Sequence, residues 1–341
     1  MKSNKLGVFV CLSCGVLIFA FVFLTSDAKT LAHNLSLLRL PWIAAAVAGM
    51  LAYFFLETAA LHTTLVTMHP AQKLRDTFHV TMGGHYFNNI TPFASGGQPF
   101  QAYYLTRGGV PLGIAASGLL ARFIVYQAAL VVCSVLLLIL RLPYFQATVS
   151  NFSSIVLFGF FINLAVMAAL IAVAFFRNGV RRFADAVVHF LAGHRLFVKD
   201  EAAAVAYIDA ELAKFADCFA DMAKNGRAIA RSFVFSVAQL IAYFFVPYAV
   251  YRSFGLSEVD FITVAAAQAF VMMVSAFIPI PGASIGAEGF FLFFFGKFFA
   301  DSAQTGVAMI LWRVITFYLT LLLGAFFAMK AGKKAEPGES A

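Results

Sequence analysis

Six uninterrupted apolar segments, each about as long as a bilayer crossing, constrain the fold of this 341-residue chain. A helix needs about 20 apolar residues to span the hydrocarbon core. The segments cover residues 6–24, 42–67, 112–140, 153–176, 230–251 and 303–329. Only 12% of the residues are charged, about half the share in a soluble protein. We therefore predict an all-α polytopic membrane protein with six full transmembrane helices.

The first segment has a second interpretation, because Lys2 and Lys5 precede it and a signal peptide ending near Ala28 has the same pattern. Its nineteen residues fit a full span better than a short signal-peptide core. We interpret residues 6–24 as a retained transmembrane helix.

Two more apolar stretches, residues 79–106 and 261–299, are broken by proline and glycine. The breaking residues are Pro92, Gly96 and Gly97 in the first stretch and Pro281, Gly282 and Gly286 in the second. Irregular backbone at membrane depth is tolerated only where it is buried in protein or lines a wet cavity. We predict that both stretches are re-entrant helical hairpins with these residues at their tips.

The two broken stretches align with each other, and each precedes an apolar helix that carries one arginine. The aligned pairs are Gly96 with Gly286, Gln98 with Glu288 and, after one extra residue, Arg122 with Arg313. This alignment indicates an internal repeat in which Gln98 replaces the acid of the second copy.

The distribution of Lys and Arg predicts the orientation. With a cytoplasmic N-terminus, 17 of the 24 basic residues lie inside, 5 lie outside, and two lie within the spans. Three spans separate the hairpins, so the repeats are inverted, as in alternating-access carriers. We predict one transmembrane domain over residues 1–330, a cytoplasmic amphipathic insert at 177–229, and a disordered cytoplasmic tail at 331–341.

The arginines are the principal candidates for binding residues, since a charge in the bilayer centre costs roughly 3 kcal/mol. A guanidinium suits bidentate binding of phosphate or carboxylate, and the half-helix N-termini at the tips favour anions. Glu288 is suited to a cationic aminoacyl group or to proton transfer. The predicted substrate-binding residues are Arg122, Arg313, Glu288, Asn88, Asn89, Thr91 and Gln98. A purely structural alternative remains, in which Arg122 pairs with Glu57, Arg313 pairs with Glu288, and the Asn and Thr residues cap helix ends.

The sequence lacks the motifs of several other kinds of functional site. There is no phosphate-binding P-loop, no dinucleotide fingerprint and no Ser/His/Asp arrangement in a structural context. The histidines are not spaced as metal ligands. The net charge of +8 follows from the basic cytoplasmic loops, so nucleic acid is not an expected partner. We expect neither a metal nor a cofactor.

Two motifs resemble the lysylphosphatidylglycerol synthase transmembrane family. They are Asn-x-Thr-Pro-x-x-x-Gly-Gly at residues 89–97 and Pro-x-Pro-Gly-x-x-x-Gly-x-Glu-Gly at residues 279–289. The resemblance implies a flippase domain like that of the multiple peptide resistance factor. Such a domain carries aminoacylated phosphatidylglycerol to the outer leaflet and confers resistance to antimicrobial peptides. The chain departs from the family at Gln98, where Gly-Gly-Glu is usual, and it ends at Ala341 with no soluble aminoacyltransferase domain.

We therefore predict a lipid flippase of the bacterial cell membrane, not an enzyme, with both termini in the cytoplasm. Its substrate is a phospholipid such as lysyl-phosphatidylglycerol. The alternatives are an intramembrane lipid-modifying enzyme, such as a polyprenyl-phosphate glycosyltransferase, and a scaffold for a separate lipid synthase. A homo-oligomer is also compatible with the sequence.

Overall fold

The computed structural model describes residues 28–148, 217–275 and 280–333, with single positions elsewhere. Apart from a few isolated positions, the predicted spans 6–24 and 153–176 lie outside the described residues. So do most of the predicted insert and most of the tail.

Ten α-helices are described in these ranges. They are α1 (Ala28–Ser36), α2 (Leu40–Met68), α3 (Leu74–Ile90), α4 (Gly97–Arg107), α5 (Leu112–Thr148), α6 (Gly226–Ser253), α7 (Phe261–Ser275), α8 (Gly286–Phe295), α9 (Ser302–Arg313) and α10 (Leu319–Lys333). A π-helical turn, Val314–Tyr318, joins α9 to α10.

Four helices are long and apolar enough to cross a membrane: α2, α5, α6 and the continuous segment Ser302–Lys330. They cover the predicted spans 42–67, 112–140, 230–251 and 303–329. An α-helical polytopic membrane protein is thereby confirmed. α5 runs past its predicted end and carries Pro143 inside the helix.

Each proline- and glycine-broken stretch forms two helices joined by a short 3-10 turn. The first tip, Pro92–Ala94, joins α3 to α4, and the second tip, Pro281–Ala283, joins α7 to α8. The helices of each pair pack on each other, and the two tips also contact each other. The chain reverses at both tips through left-handed backbone, with φ of 54° at Phe93 and 66° at Gly282.

The two copies of the repeat align differently at the tips and along the helices. The 3-10 turns begin at Pro92 and Pro281, so the tips are offset by one residue from the predicted register. Along α4 and α8, the buried residues Gln101 and Leu105 correspond to the buried Phe291 and Phe295, as the predicted pairing of Gly96 with Gly286 requires. In this register Gln98 corresponds to Glu288, and Gln98 is exposed whereas Glu288 is buried.

The core lies between α2 and α6, which pack along most of their lengths, and around the second helix pair. Small residues such as Ala46 and Ala249, both fully buried, accompany the close approach of the two long helices. Aromatic rings fill the remaining space, for example Phe291 stacked on Trp312 with centroids 4.8 Å apart. This packing fixes the middle of α2, which carries Glu57, against α6.

Candidate functional site

A polar cavity of about 180 Å³ lies beside the first tip, between α2, α3, α4 and α5. Its lining residues are Glu57, Leu61, Asn88, Phe93, Ala94, Gln98, Gln101, Leu119, Arg122 and Phe123. Four residues named from the sequence meet there: Arg122, Asn88, Gln98 and Glu57. A carboxylate, a guanidinium and amides therefore face one space.

Glu57, 6% exposed, lies at the centre of this site and receives groups from three other helices. Its Oε2 is 2.9 Å from Nε2 of His85 on α3 and accepts a hydrogen bond of 3.0 Å from Nε2 of Gln239 on α6. Its Oε1 is 3.0 Å from Nη2 of Arg122 on α5. A carboxylate in an apolar bundle needs such partners, because an unpaired buried charge is very costly.

Arg122 is held from three sides. Besides Glu57, its Nη2 donates to Oε1 of Gln239 at 3.3 Å, and its guanidinium lies 5.0 Å from the centre of the Tyr126 ring. A guanidinium has five N–H donors in a rigid fork. Since these contacts engage few of them, donors remain for an anionic group in the cavity.

The predicted neutral binding residues have mainly structural contacts. Asn88 Oδ1 accepts a hydrogen bond of 2.9 Å from the Gly97 N–H, and Thr91 Oγ1 accepts one of 2.8 Å from the Gly96 N–H. The two side chains thus bind backbone groups at the start of α4 that the helix itself leaves unpaired. A Cβ at position 97 would overlap the Asn88 amide, so this contact requires glycine. Asn89 is partly buried and does not line the cavity.

The second helix pair carries a separate ion pair, between Glu288 in the first turn of α8 and Arg313 at the end of α9. Arg313 Nε lies 2.6 Å from Glu288 Oε1, and both residues are buried. The rings of Trp312 and Phe317 lie 5.0 and 5.4 Å from the guanidinium. The Phe317 ring also occupies the place where a Cβ of Gly282 would lie. This centre is therefore packed against the second tip and does not line the polar cavity.

A tyrosine lies beside each of the two charged centres. The Tyr53 ring lies 5.8 Å from the His85 ring and 5.4 Å from the Tyr243 ring. Tyr243 in turn lies near Arg313 and Thr316. Two tyrosine side chains therefore lie between the two charged centres.

An apolar cavity of about 620 Å³ lies on the other side of α5. It is lined by α5, by the start of α6 and by residues from Phe219 to Ala223 of the insert. Ala121 faces this cavity while the adjacent Arg122 faces the polar one. The polar and apolar cavities thus lie on different faces of one helix.

Sequence reasoning missed several residues of the site: His85, Gln239, Tyr53, Tyr126 and Tyr243. It noted only that the histidines are not spaced as metal ligands, and it gave Gln239 and the tyrosines no role. Both ion pairs of the structural alternative are present, because Arg122 pairs with Glu57 and Arg313 pairs with Glu288. Within the described ranges, no three His, Cys, Asp or Glu side chains are placed to hold a metal ion.

Comparisons with known proteins point to the same family as the two tip motifs. The model of a family described as the lysylphosphatidylglycerol synthase TM region matches residues 6–324. A UPF0104 membrane protein of Archaeoglobus fulgidus is 26% identical over 298 residues, which cover 84% of this chain and 86% of the relative.

Proposed function

Since the chain belongs to the lysylphosphatidylglycerol synthase transmembrane family, we propose that it moves a phospholipid between the leaflets of a bacterial cell membrane. The observation that carries this proposal is the polar cavity in which Arg122 and Glu57 lie side by side. The Arg122 guanidinium binds the lipid phosphate, and Glu57 binds a cationic group of the same headgroup. Such a pair fits a zwitterionic or aminoacylated headgroup, of which lysyl-phosphatidylglycerol is the member that the family name suggests.

The cavities support a division of the lipid between two environments. The polar cavity is small, about 180 Å³, which suits a headgroup. The cavity across α5 is apolar and larger, about 620 Å³, which suits acyl chains. We place the headgroup in the first cavity and the acyl chains in the second or in the surrounding bilayer.

The proposed transport cycle requires both tips to end within the membrane as re-entrant hairpins. The helix lengths support this arrangement, because α4 has 11 residues and α8 has 10, about 16 and 15 Å at 1.5 Å per residue. Neither reaches across a core of about 30 Å. Together with spans at 6–24 and 153–176, this arrangement gives six full spans, two inverted hairpins and cytoplasmic termini.

Transport is testable in proteoliposomes containing fluorescent lysyl-phosphatidylglycerol, by chemical quenching of the label in the outer leaflet. Wild-type protein is expected to expose inner-leaflet lipid to the quencher. Arg122→Gln is expected to slow transport by about tenfold or more, because a charge-assisted hydrogen bond contributes about 1.5–3 kcal/mol. Arg141→Gln is the matched control, since Arg141 pairs with Asp260 at 2.9 Å away from both cavities.

Full transport by a folded Arg122→Gln protein would contradict the role of the cavity. The enzyme and scaffold alternatives predict different results with the same purified protein. Turnover of nucleotide sugars by the pure protein would favour a lipid-modifying enzyme. Transport that appears only when a lipid synthase is added would favour a scaffold.

Cysteine labelling tests the hairpins separately, in a background without native cysteines. Lys73 and Gly109 flank the first hairpin, Glu258 and Lys297 flank the second, and all four are exposed. Cysteines at the first two positions should react from one side of the membrane, and cysteines at the other two from the opposite side. Labelling of positions 73 and 109 from opposite sides would show that the first pair of helices crosses the bilayer.

A further inference from the structure

The charges of the polar site balance only in one protonation state. With a neutral His85 ring, the Glu57 carboxylate cancels the Arg122 guanidinium, which lies 3.0 Å away. The site then has no net charge and matches a zwitterionic headgroup. A headgroup with net negative charge would bring an uncompensated charge into a low-dielectric site, which is costly.

His85 can supply the missing positive charge. Its Nε2 lies 2.9 Å from Glu57 Oε2, so a protonated ring would form a second ion pair with the same carboxylate. Imidazole is the side chain that changes charge most readily near neutral pH. The Glu288–Arg313 pair has no histidine within ion-pair distance in the described part of the chain, so the two centres differ in this respect.

The surroundings of the Glu57–His85 pair contain one other charged side chain, among those described. The polar groups facing the pair are Tyr53 from α2, Arg122 and Tyr126 from α5, and Gln239 and Tyr243 from α6. From α4, Gln101 packs on Gly84, and from α10, Gly324 packs on the backbone at Met82 and Tyr86. Lys330 of α10 comes three residues after Phe327, whose ring contacts His79, and His79 precedes His85 on α3 by almost two helical turns. The balance of charge therefore depends on Glu57, Arg122 and His85.

We propose that binding of an anionic phospholipid headgroup in this cavity is coupled to the uptake of one proton by the Glu57–His85 pair. The proton comes from water and is held by the imidazole, whose two nitrogens then both carry hydrogen. The proton leaves when the headgroup is released, so an anionic lipid and a proton are transported together. A zwitterionic headgroup binds without a proton. The proposal rests on the headgroup site of the proposed function and extends it from zwitterionic and aminoacylated lipids to anionic ones.

Isothermal titration calorimetry of the detergent-purified chain measures this coupling directly. The probe is dihexanoyl phosphatidylglycerol, titrated near neutral pH in two buffers with different heats of ionisation. The binding enthalpies in the two buffers should differ by the amount that corresponds to uptake of about one proton per bound lipid. If one proton is taken up with each lipid, the affinity should also fall as pH rises, by up to about tenfold per pH unit. Dihexanoyl phosphatidylethanolamine, a zwitterion, should show no dependence on the buffer.

Two variants test proton uptake and lipid binding separately. His85→Gln keeps a donor for Glu57 but should abolish proton uptake, whereas Glu57→Gln leaves Arg122 permanently uncompensated and should bind the anionic lipid without a proton at any pH. His62→Gln is the matched control, because His62 bonds to Thr77 at 3.1 Å and should leave proton uptake unchanged.

The outcomes distinguish the coupling from the lipid site itself. Buffer-independent heats for phosphatidylglycerol binding to the wild-type protein would overturn the coupling and leave the lipid site intact. Equal proton uptake with phosphatidylethanolamine, or undiminished uptake by His85→Gln, would also overturn it. Absence of binding by both lipids would overturn the headgroup site and the coupling together.

Discussion

Replacement of Arg313 by methionine tests whether the second ion pair serves stability, transport or both. The side chains of Arg313 and Glu288 are only 8% and 7% exposed. Arg313→Met leaves the Glu288 carboxylate buried without its cation, and loss of one partner from a buried pair costs about 3–5 kcal/mol. At about 2 °C per kcal/mol for a chain of this size, the melting temperature should fall by roughly 6–10 °C.

The double variant and a surface pair provide the controls. Glu288→Met in addition to Arg313→Met removes the buried charge and should restore most of the loss, because apolar replacement of a complete buried pair is often neutral. Arg141→Met disturbs an ion pair whose side chains are 30% and 55% exposed, and exposed pairs contribute about 0–1 kcal/mol. The assay is size-exclusion chromatography of detergent-solubilised protein after heating.

A simple comparison of these variants would refute the reasoning. If Arg313→Met loses no more stability than Arg141→Met, the pair does not stabilise the bundle. If the double variant is no more stable than Arg313→Met alone, the residues do not act as a pair. If the double variant is stable and still transports lipid, the ion pair only stabilises the second tip. If it is stable but inactive, the pair also takes part in lipid transport.

Two other changes probe the helix ends. Gly97→Ala should displace the Asn88 amide from the start of α4, destabilise the fold by about 1 kcal/mol or more and reduce flipping in the proteoliposome assay; wild-type behaviour would contradict the close contact. Burial raises the pKa of Asp260, but hydrogen bonds from Arg141 and Thr263 outweigh it and hold the pKa below its ordinary value. The ionised Asp260 therefore stabilises the fold fully at pH values above its ordinary pKa. This stabilisation is lost as the pH falls towards the lowered pKa. Wild-type protein should lose more thermal stability than Asp260→Asn between about pH 6 and about pH 3, and equal losses would contradict this.

Features that depend on local sequence were predictable. The lengths of apolar segments located α2, α5 and α6 because bilayer thickness sets the length of a spanning helix. Proline and glycine located both tips because these residues interrupt helices wherever they occur. The structure places the 3-10 turns at Pro92 and Pro281, within the predicted breaks.

The register of the repeat was not predictable to one residue. Gly96 and Gly97 are adjacent, so either can be aligned with Gly286, and the sequence gives no reason to prefer the second. In the structure the turns align at Phe93 and Gly282, whereas the buried positions of α4 and α8 follow the predicted pairing with Gly96. The second tip has one additional left-handed residue, Ile285, so no single register describes both the turn and the helix.

The composition of the polar site was the least predictable feature. Glu57, His85, Arg122 and Gln239 come from four helices, and 182 residues separate Glu57 from Gln239. No periodicity connects positions so far apart. What the sequence did provide was the rarity of charge in apolar segments, which selected Arg122 and Glu57 but could not select neutral partners such as Gln239.

The contact between the two tips has an electrical consequence. In the proposed arrangement, water approaches the tips from both sides, so most of the membrane voltage falls across the short distance between them. One net charge that crosses 100 mV changes in energy by about 2.3 kcal/mol. An anionic headgroup accompanied by one proton carries no net charge, so the voltage does no work on it. The chain would then flip anionic lipid at the same rate in polarised and depolarised vesicles, and its direction would follow the pH gradient.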